Sequence, residues 1–365
     1  MAEPRIAVDA RPLCHPGTGI YRYTMELLRR LCGFGGQWFL YSPQAYDTAG
    51  LGAPNIHHRV GGVHRSLRAS QLGQFFFPVW ARRDRACVFW SPRHQLPLYL
   101  PENIRAVVTI HDLVWKRHGE TMRFPGRQIE GFLMPRSLRR ADVVVAVSDF
   151  TRRELNACFP QIASPVQLVP GASHLDALQQ FVDGPHNDTS PYFLFVGTME
   201  PRKNLRLVLQ AYREYARCHQ QPLPLQIAGG RGWGGVDVNQ WVRELELEAL
   251  VTVAGKVSDA QLADLYAHAH TLVMPSLYEG FGLPVVESLS LGVPVIASRD
   301  SALSEVAGSA GLLVDPTSEV EVTRALLAMS DDLALHGALK RRAPAEAARY
   351  NWDESAAKMA AILLP

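Results

Sequence analysis

Cysteine is scarce in this sequence. Five residues, Cys14, Cys32, Cys87, Cys158 and Cys218, are scattered without a CxxC pair or metal-ligand spacing. That argues against a disulfide framework or a zinc site and for reduced, mostly structural thiols of a cytoplasm. The opening stretch MAEPRIAVDARP has no apolar signal core, and no segment approaches the roughly 18 apolar residues of a spanning helix. A cytoplasmic protein, soluble or peripheral on the inner face of the membrane, is therefore expected. DxD and HExxH are missing, so no metal cofactor is implied. No DNA- or RNA-binding motif accompanies the arginines, which leaves nucleic acid out as a partner. GxGxxG is missing too: Gly17-Thr18-Gly19 lacks the third glycine and lies too far beyond the preceding strand to be a dinucleotide fingerprint.

What is present suits a globular protein. The 365 residues are 47% hydrophobic and 20% charged, enough chain for two domains with full cores. The net charge of +2 hides an asymmetry. Residues 1–170 hold 22 Lys and Arg against 12 Asp and Glu, or +10, and residues 171–365 hold 15 against 23, or −8. The basic half can face an anionic membrane surface or a phosphorylated lipid, or its arginines can be solvated faces.

Short buried runs recur along the chain with helical or loop segments between them. Arg5–Ala10, Trp38–Tyr41, Ala86–Trp90, Ala106–Ile110, Ala141–Val147 and Val166–Val169 read as strands of one sheet. With no hairpin signal among them, an open parallel sheet is expected. Ile20–Leu31 has helical periodicity, and Thr151 with Glu154 has capping-box spacing. His111 follows a strand at the edge where ligands of such sheets bind; it can offer a ring nitrogen to a hydroxyl or tie the turn together. Residues 171–191 have the composition of a linker.

The alternation then restarts, with strands at Tyr192–Val196, Leu225–Ala228, Val251–Ala254, Thr271–Met274, Val295–Ala297 and Gly311–Val314. The expected domains are residues 1–170, residues 192–345, and a C-terminal helix within 346–365 able to pack back onto the first domain. Loops at the strand ends of the second domain carry Arg202 and Lys203, with Asn204 as a candidate cap, then Gly229–Gly234, then Gly255–Asp259. Two cations at that edge can bind a diphosphate or form a solvated surface pair.

The densest stretch is PSLYEGFGLPVVE, residues 275–287. It joins a strand to a helix through Gly280 and Gly282, and Pro284 suits a first helical turn. A helix start of this kind favours phosphate or polarised oxygens. Glu279 and Glu287 flank it, and a carboxylate is matched to the paired hydroxyls of a sugar or ribose, though both can also be ordinary solvated residues.

Taken together, VGTMEPRKNL at 196–205, IAGGRGW at 227–233, VAGKVSDAQL at 253–262 and MPSLYEGFGLPVVESLSLGVPVIAS at 274–298 resemble the retaining GT-B glycosyltransferases of the glycogen-synthase-like and bacterial mannosyltransferase group. The resemblance implies two doubly wound Rossmann-like domains facing each other across a cleft, and a hexosyltransferase using a nucleotide-diphosphate sugar with retention and without metal. It is carried strongly by residues 192–315 and more weakly by Gly17–Gly19, His111-Asp112 and VAVSDFT at 145–151. By the same resemblance Lys203 holds the donor diphosphate, while Glu279, Gly280, Phe281 and Gly282 bind the sugar hydroxyls. Leu283 borders the phosphate, Glu287 grips the ribose, and Val257 lies in the loop beside the nucleobase. His111 reaches the transferred sugar, with Gly17 and Gly19 near the phosphates or the acceptor. Many relatives have an arginine where this chain has Thr198, so Arg202 or another residue must supply the second charge. GDP-mannose or a related GDP-deoxyhexose is the first expected donor, with UDP-sugars open, and a glycan or lipid-linked glycan is the expected acceptor in surface polysaccharide assembly. A nucleotide-sugar-binding protein without catalysis, or a nicotinamide-dependent oxidoreductase, are the readings to be set against this one.

Overall fold

A computed structural model of the chain describes residues 3–62, 66–175 and 191–364. The chain forms two compact units. One contains Met1–Lys116, Phe124–Gly171 and Asn351–Pro365, the other Arg117–Arg123 and Ala172–Tyr350. Residues 176–190, the greater part of the stretch with linker composition, lie outside the described residues.

The first unit is built on β1 (Arg5–Asp9), β2 (Gln37–Ser42), β3 (Ile56–Val60), β4 (Val88–Ser91), β5 (Arg105–Ile110), β6 (Val143–Ala146) and β7 (Val166–Leu168). They pair in parallel in the order β3-β2-β1-β4-β5-β6-β7. The order reverses between β1 and β4, the doubly wound arrangement whose switch point opens at the carboxyl ends of those strands. The middles of the central strands are apolar and buried, as at Ile6, Ala7 and Val8 or Ala106, Val107 and Val108, because helices cover both faces of such a sheet. These helices are α1 (Gly19–Leu31), α2 (Ser66–Arg83), the short α3 (Val114–Arg117), α4 (Gly126–Arg140) and α5 (Asp149–Cys158).

The second unit repeats the plan. Its strands are β8 (Tyr192–Val196), β9 (Leu225–Ala228), β10 (Val251–Gly255), β11 (Ala269–Met274), β12 (Val295–Ser298) and β13 (Gly311–Val314), in the parallel order β10-β9-β8-β11-β12-β13. The helices between and after them are α6 (Leu205–Cys218), α7 (Val238–Glu244), α8 (Asp259–Ala267), α9 (Leu283–Ser290), α10 (Ala302–Ala307), α11 (Glu319–Asp331) and α12 (Leu333–Ala347). Phe193, Phe195, Tyr212, Tyr215 and Ile227 are fully buried at the centre of its core. Here the switch point falls between β8 and β11, so the loops after these two strands are neighbours.

The last helix, α13 (Trp352–Leu363), belongs to the first unit and packs on α1. The Trp352 ring meets Tyr23 edge-on at 5.9 Å, Asp353 accepts from Arg30 at 2.5 Å, and Arg105 donates to the carbonyl of Ile362 at 2.8 Å.

Two local expectations are corrected. The capping residue of α5 is Ser148, whose hydroxyl accepts from the Thr151 N–H. The strand ends early enough for Ser148 to take the extended cap conformation, and Thr151 lies inside the first turn and donates its hydroxyl to the His111 carbonyl. Asn204 stands at the start of α6 but makes no side-chain cap. It sits in the left-handed region at φ 61°, and its amide donates to the carbonyls of Pro275 and Pro316 at 3.0 and 2.6 Å.

Candidate functional site

In the second unit, the loop after β8 ends in a single 3-10 turn, Pro201–Lys203, which carries Arg202 and Lys203 towards the loop after β11. Glu279 comes from that second loop and is 6% exposed. Its two oxygens are taken separately: Lys203 donates to Oε1 at 2.5 Å and Arg202 to Oε2 at 2.7 Å. Arg202 also pairs with buried Glu200 at 2.8 Å and donates to the Tyr278 carbonyl at 3.1 Å. Burial alone would raise the Glu279 pKa, but the Arg202 and Lys203 charges outweigh it and hold the carboxyl down to about 2. A buried ionised carboxylate shared by two cations is therefore fixed at the switch point.

Backbone hydrogen bonds lock the surrounding loops together. The Leu277 N–H donates to the Arg202 carbonyl, Met199 to Gly230, and Gly229 to Gly255. The glycine loop after β9 lies so close to the loop after β8 that a Cβ on Gly229 would stand 1.9 Å from the Gly197 oxygen. That position accepts only glycine. Trp233 in the same loop donates its indole N–H to the Thr121 carbonyl at 2.7 Å, and the His118 ring packs 5.6 Å from that of Tyr278. Both contacts come from the short segment Arg117–Arg123, which the contacts assign to this unit.

Gly282 precedes α9 at φ 108°, and a Cβ there would meet Leu303 at 2.5 Å, so packing and backbone conformation both require glycine. Gly280 and Gly282 are buried between Glu279 and the helix start, Leu283 and Pro284 are half-buried in its first turn, and the Phe281 ring packs edge-on against Tyr350 at 5.3 Å. Glu287 is buried within α9. It accepts from the Tyr266 hydroxyl at 3.2 Å, and its other oxygen lies 3.2 Å from His174 Nδ1. Burial, reinforced by the Glu287 charge, pushes the Tyr266 phenol far up, so it remains a donor. Val257 is half-buried in the loop after β10, which Ser258 closes with a capping box to Gln261.

In the first unit, Gly17 takes φ 88° and Gly19 opens α1, with Thr18 as the cap that accepts from the Tyr21 N–H. His111, at the end of β5, packs edge-on against Tyr23 of α1 at 5.0 Å. Its Nε2 lies 2.8 Å from the Pro92 carbonyl, so the proton sits on Nε2 and Nδ1 keeps its lone pair. Burial, followed by neighbouring His94, pulls its pKa down to about 3, and the ring is neutral near pH 7. Beside it, Glu130 faces His94 at 3.5 Å and accepts from Gln95 at 2.7 Å, while fully buried Asp9 is bound bidentately by Arg11.

The structure thus brings Arg202, Lys203 and Glu279 into direct contact and sets Gly280 to Leu283 directly after them. Gly17, Gly19 and His111 belong to the other unit. Tyr278, Trp233, His118 and His174 were not legible as parts of the site, because each contact joins residues from separate segments of the chain, and Glu200, two residues before Arg202, carries no local sign of its pairing. For Trp233 the one available signal was a bulky aromatic residue within a run of glycines.

Residues 176–349 match the family model described as Glycosyl transferases group 1, and residues 17–176 that described as Glycosyltransferase Family 4. O-antigen chain mannosyltransferase B of Escherichia coli is 32% identical, over 96% of this chain and 96% of its own. O-antigen chain mannosyltransferase RfbU of Salmonella typhimurium is 24% identical, over 86% and 87%. Among solved structures, sucrose-phosphate synthase of Thermosynechococcus elongatus superposes with a TM-score of 0.77 at 20% identity, over 99% of this chain and 98% of its own. WaaG, a glycosyltransferase involved in lipopolysaccharide biosynthesis, gives 0.76 at 14%, over 98% and 99%. The two doubly wound units are those of a GT-B glycosyltransferase. Within that class, the chain belongs to the glycosyl transferases group 1 family.

Proposed function

We propose that the chain transfers mannose, or a related deoxyhexose, from a GDP-sugar to a glycan or lipid-linked glycan during surface polysaccharide assembly, with retention of configuration and without a metal. The observation that carries this reading is the Arg202–Glu279–Lys203 constellation at the switch point of the second unit. The similarity to O-antigen mannosyltransferases supports the choice of sugar and of product class.

Breaking the bond between the sugar and the diphosphate leaves negative charge on the departing phosphate and positive charge on the sugar. Lys203 and Arg202 meet the first, aided by the start of α9. They do for the leaving group what a divalent cation does in other transferases. As the diphosphate draws the two cations, the Glu279 oxygens become acceptors for the sugar hydroxyls, beside the backbone of Gly280, Phe281 and Gly282. Leu283 borders the phosphate, Glu287 takes the ribose, and Val257 lies beside the base. The acceptor oxygen forms its bond to the sugar on the face the phosphate leaves, and its proton passes to the departing phosphate oxygen. The roles of His111, Gly17 and Gly19 towards the sugar, the phosphates or the acceptor are proposed from the family motif. The basic first half is proposed to meet an anionic membrane surface, where a lipid-linked acceptor is carried.

A panel of nucleotide sugars tested for protection against thermal unfolding checks the donor. GDP-mannose should raise the midpoint more than UDP-glucose does, and transfer to an acceptor extract should follow. Protection by a UDP-sugar alone would move the assignment to that donor. Tight donor binding with neither hydrolysis nor transfer would favour a nucleotide-sugar-binding protein, the reading that Thr198 at the usual arginine position motivates.

A further inference from the structure

Helix α2 of the first unit carries two opposed apolar faces. Phe77 and Ala81 are fully buried, and the Phe77 ring packs on Tyr41 at 5.6 Å. The outer face carries Phe75, Phe76 and Val79, which are 54, 54 and 56% exposed, and at helical spacing beyond them stand exposed Arg82 and Arg83. The loop before β5 widens this face. Tyr99 is 63% exposed and stacks on Phe75 at 5.6 Å, and Leu98 is pinned by its backbone N–H to Gln74 at 2.8 Å. Between helix and loop runs a groove of about 540 Å³, lined by Phe75, Pro78, Val79, Arg82, Tyr99 and Glu102 among others. Arg140 holds the loop by donating to the carbonyls of Pro101 and Ile104, both at 2.8 Å.

Basic side chains outnumber acidic ones beside this face. Asp84 is buried and neutralised by Arg59, and it accepts from the Tyr41 hydroxyl. Arg82, Arg83 and exposed Arg85 make no ion pair among the described residues, and Glu102 is the acidic residue of the groove. Contiguous exposed aromatic and aliphatic side chains bordered by unpaired arginines fit one kind of partner, an anionic lipid surface. The rings enter the boundary between headgroups and acyl chains, and the guanidiniums stay at the phosphates.

We propose that the outer face of α2, with Leu98 and Tyr99, is the surface by which this protein lies on an anionic membrane. The proposal deepens the reading that the acceptor is carried by a lipid, and it names the residues that make the contact. Because it uses apolar insertion as well as charge, binding should fall with salt without vanishing, whereas a purely electrostatic contact would be abolished.

The test is cosedimentation of the full chain with vesicles of phosphatidylcholine alone and of phosphatidylcholine mixed with phosphatidylglycerol. Wild-type protein should bind the mixed vesicles and bind the neutral ones far more weakly. The variant pair Phe76→Ser/Val79→Ser should lose binding to the mixed vesicles. Arg82→Gln and Arg83→Gln should each weaken it about fivefold, the share of one basic residue near such a surface. All four positions are exposed, and retained protection by a nucleotide sugar confirms that each variant is folded. Equal binding to both vesicle types, or unchanged binding by the serine variant, would overturn the proposal. So would wild-type self-association in sedimentation velocity that the serine variant abolishes, because a second copy would then be the occupant. Loss of vesicle binding in the variants with donor protection intact supports the proposal and leaves the transferase reading untouched. Absence of donor protection in the wild type sinks that reading alone.

Discussion

Trp233 donates its indole N–H to the carbonyl oxygen of Thr121 across 2.7 Å and across 112 positions of sequence. The bond ties the glycine loop after β9 to a segment that leaves the chain of the first unit between Lys116 and Phe124. Trp233→Phe keeps an aromatic ring and removes the N–H donor, leaving the carbonyl of buried Thr121 without this partner. We expect a loss of about 1 kcal/mol in chemical denaturation and weaker donor binding by titration. Unchanged donor affinity would mean that the loop is held by its glycine packing alone.

Variants at Lys203 and Glu279 are expected to separate binding from chemistry. Glu279→Ala should keep nucleotide binding and abolish transfer, and full activity in that variant would sink the assignment. Lys203→Ala should lower kcat by two to three decades, equivalent to about 2.7–4 kcal/mol of barrier, if it meets the departing phosphate as preorganised donors do elsewhere. Single-turnover rates measured at saturating donor would read this directly.

Acid should act on the same carboxylate. Glu279 is held at about 2 in the folded chain, below its ordinary value of 4.5, so the unfolded state binds the extra proton first. Its stabilisation is fully present above pH 4.5 and is lost as the pH falls towards 2. Wild-type stability should therefore drop more steeply over that window than that of Glu279→Gln. Parallel curves from denaturant titrations would contradict the ion-pair geometry.

Gly282→Ala meets two penalties at once, the left-handed backbone at φ 108° and the Leu303 side chain 2.5 Å from the new Cβ. The expected loss exceeds about 1 kcal/mol and should appear in thermal unfolding, with weaker donor protection because the start of α9 shifts. An alanine variant as stable as wild type would show that this turn is free to relax.

His111 should stay silent in the physiological range. With its pKa pulled down to about 3, its ring signals in NMR should not titrate between about pH 5 and 8. The unfolded chain gains this proton near 6.5, so His111 costs stability progressively as the pH falls below that value. Titration near 6.5 in the folded protein would place the ring in water instead.

Both sheets were legible because a parallel strand covered on both faces is apolar throughout, as in Tyr192–Val196 and Val143–Ala146. β3, Ile56–Val60, escaped that reading: it is an edge strand with exposed His57 and His58, so its sequence lacks the pattern. Arg202, Lys203 and Glu279 could be picked out as motif residues, but their pairing could not, since 76 positions separate Lys203 from Glu279 and only the strand order makes their loops adjacent. Asn204 shows the limit of local rules. Its residue type suits a cap, yet two distant proline carbonyls claim its amide.

The packing of α13 on α1 also sets an order of events during synthesis. Everything in the second unit is translated between the two helices, so the apolar flank of α1 that receives Trp352 stays open while that whole unit emerges and folds. The unit that begins first is completed last. A chain stalled on the ribosome before Trp352 would have the whole second unit translated and a first unit still lacking α13, which is the stage at which a chaperone has a surface to hold.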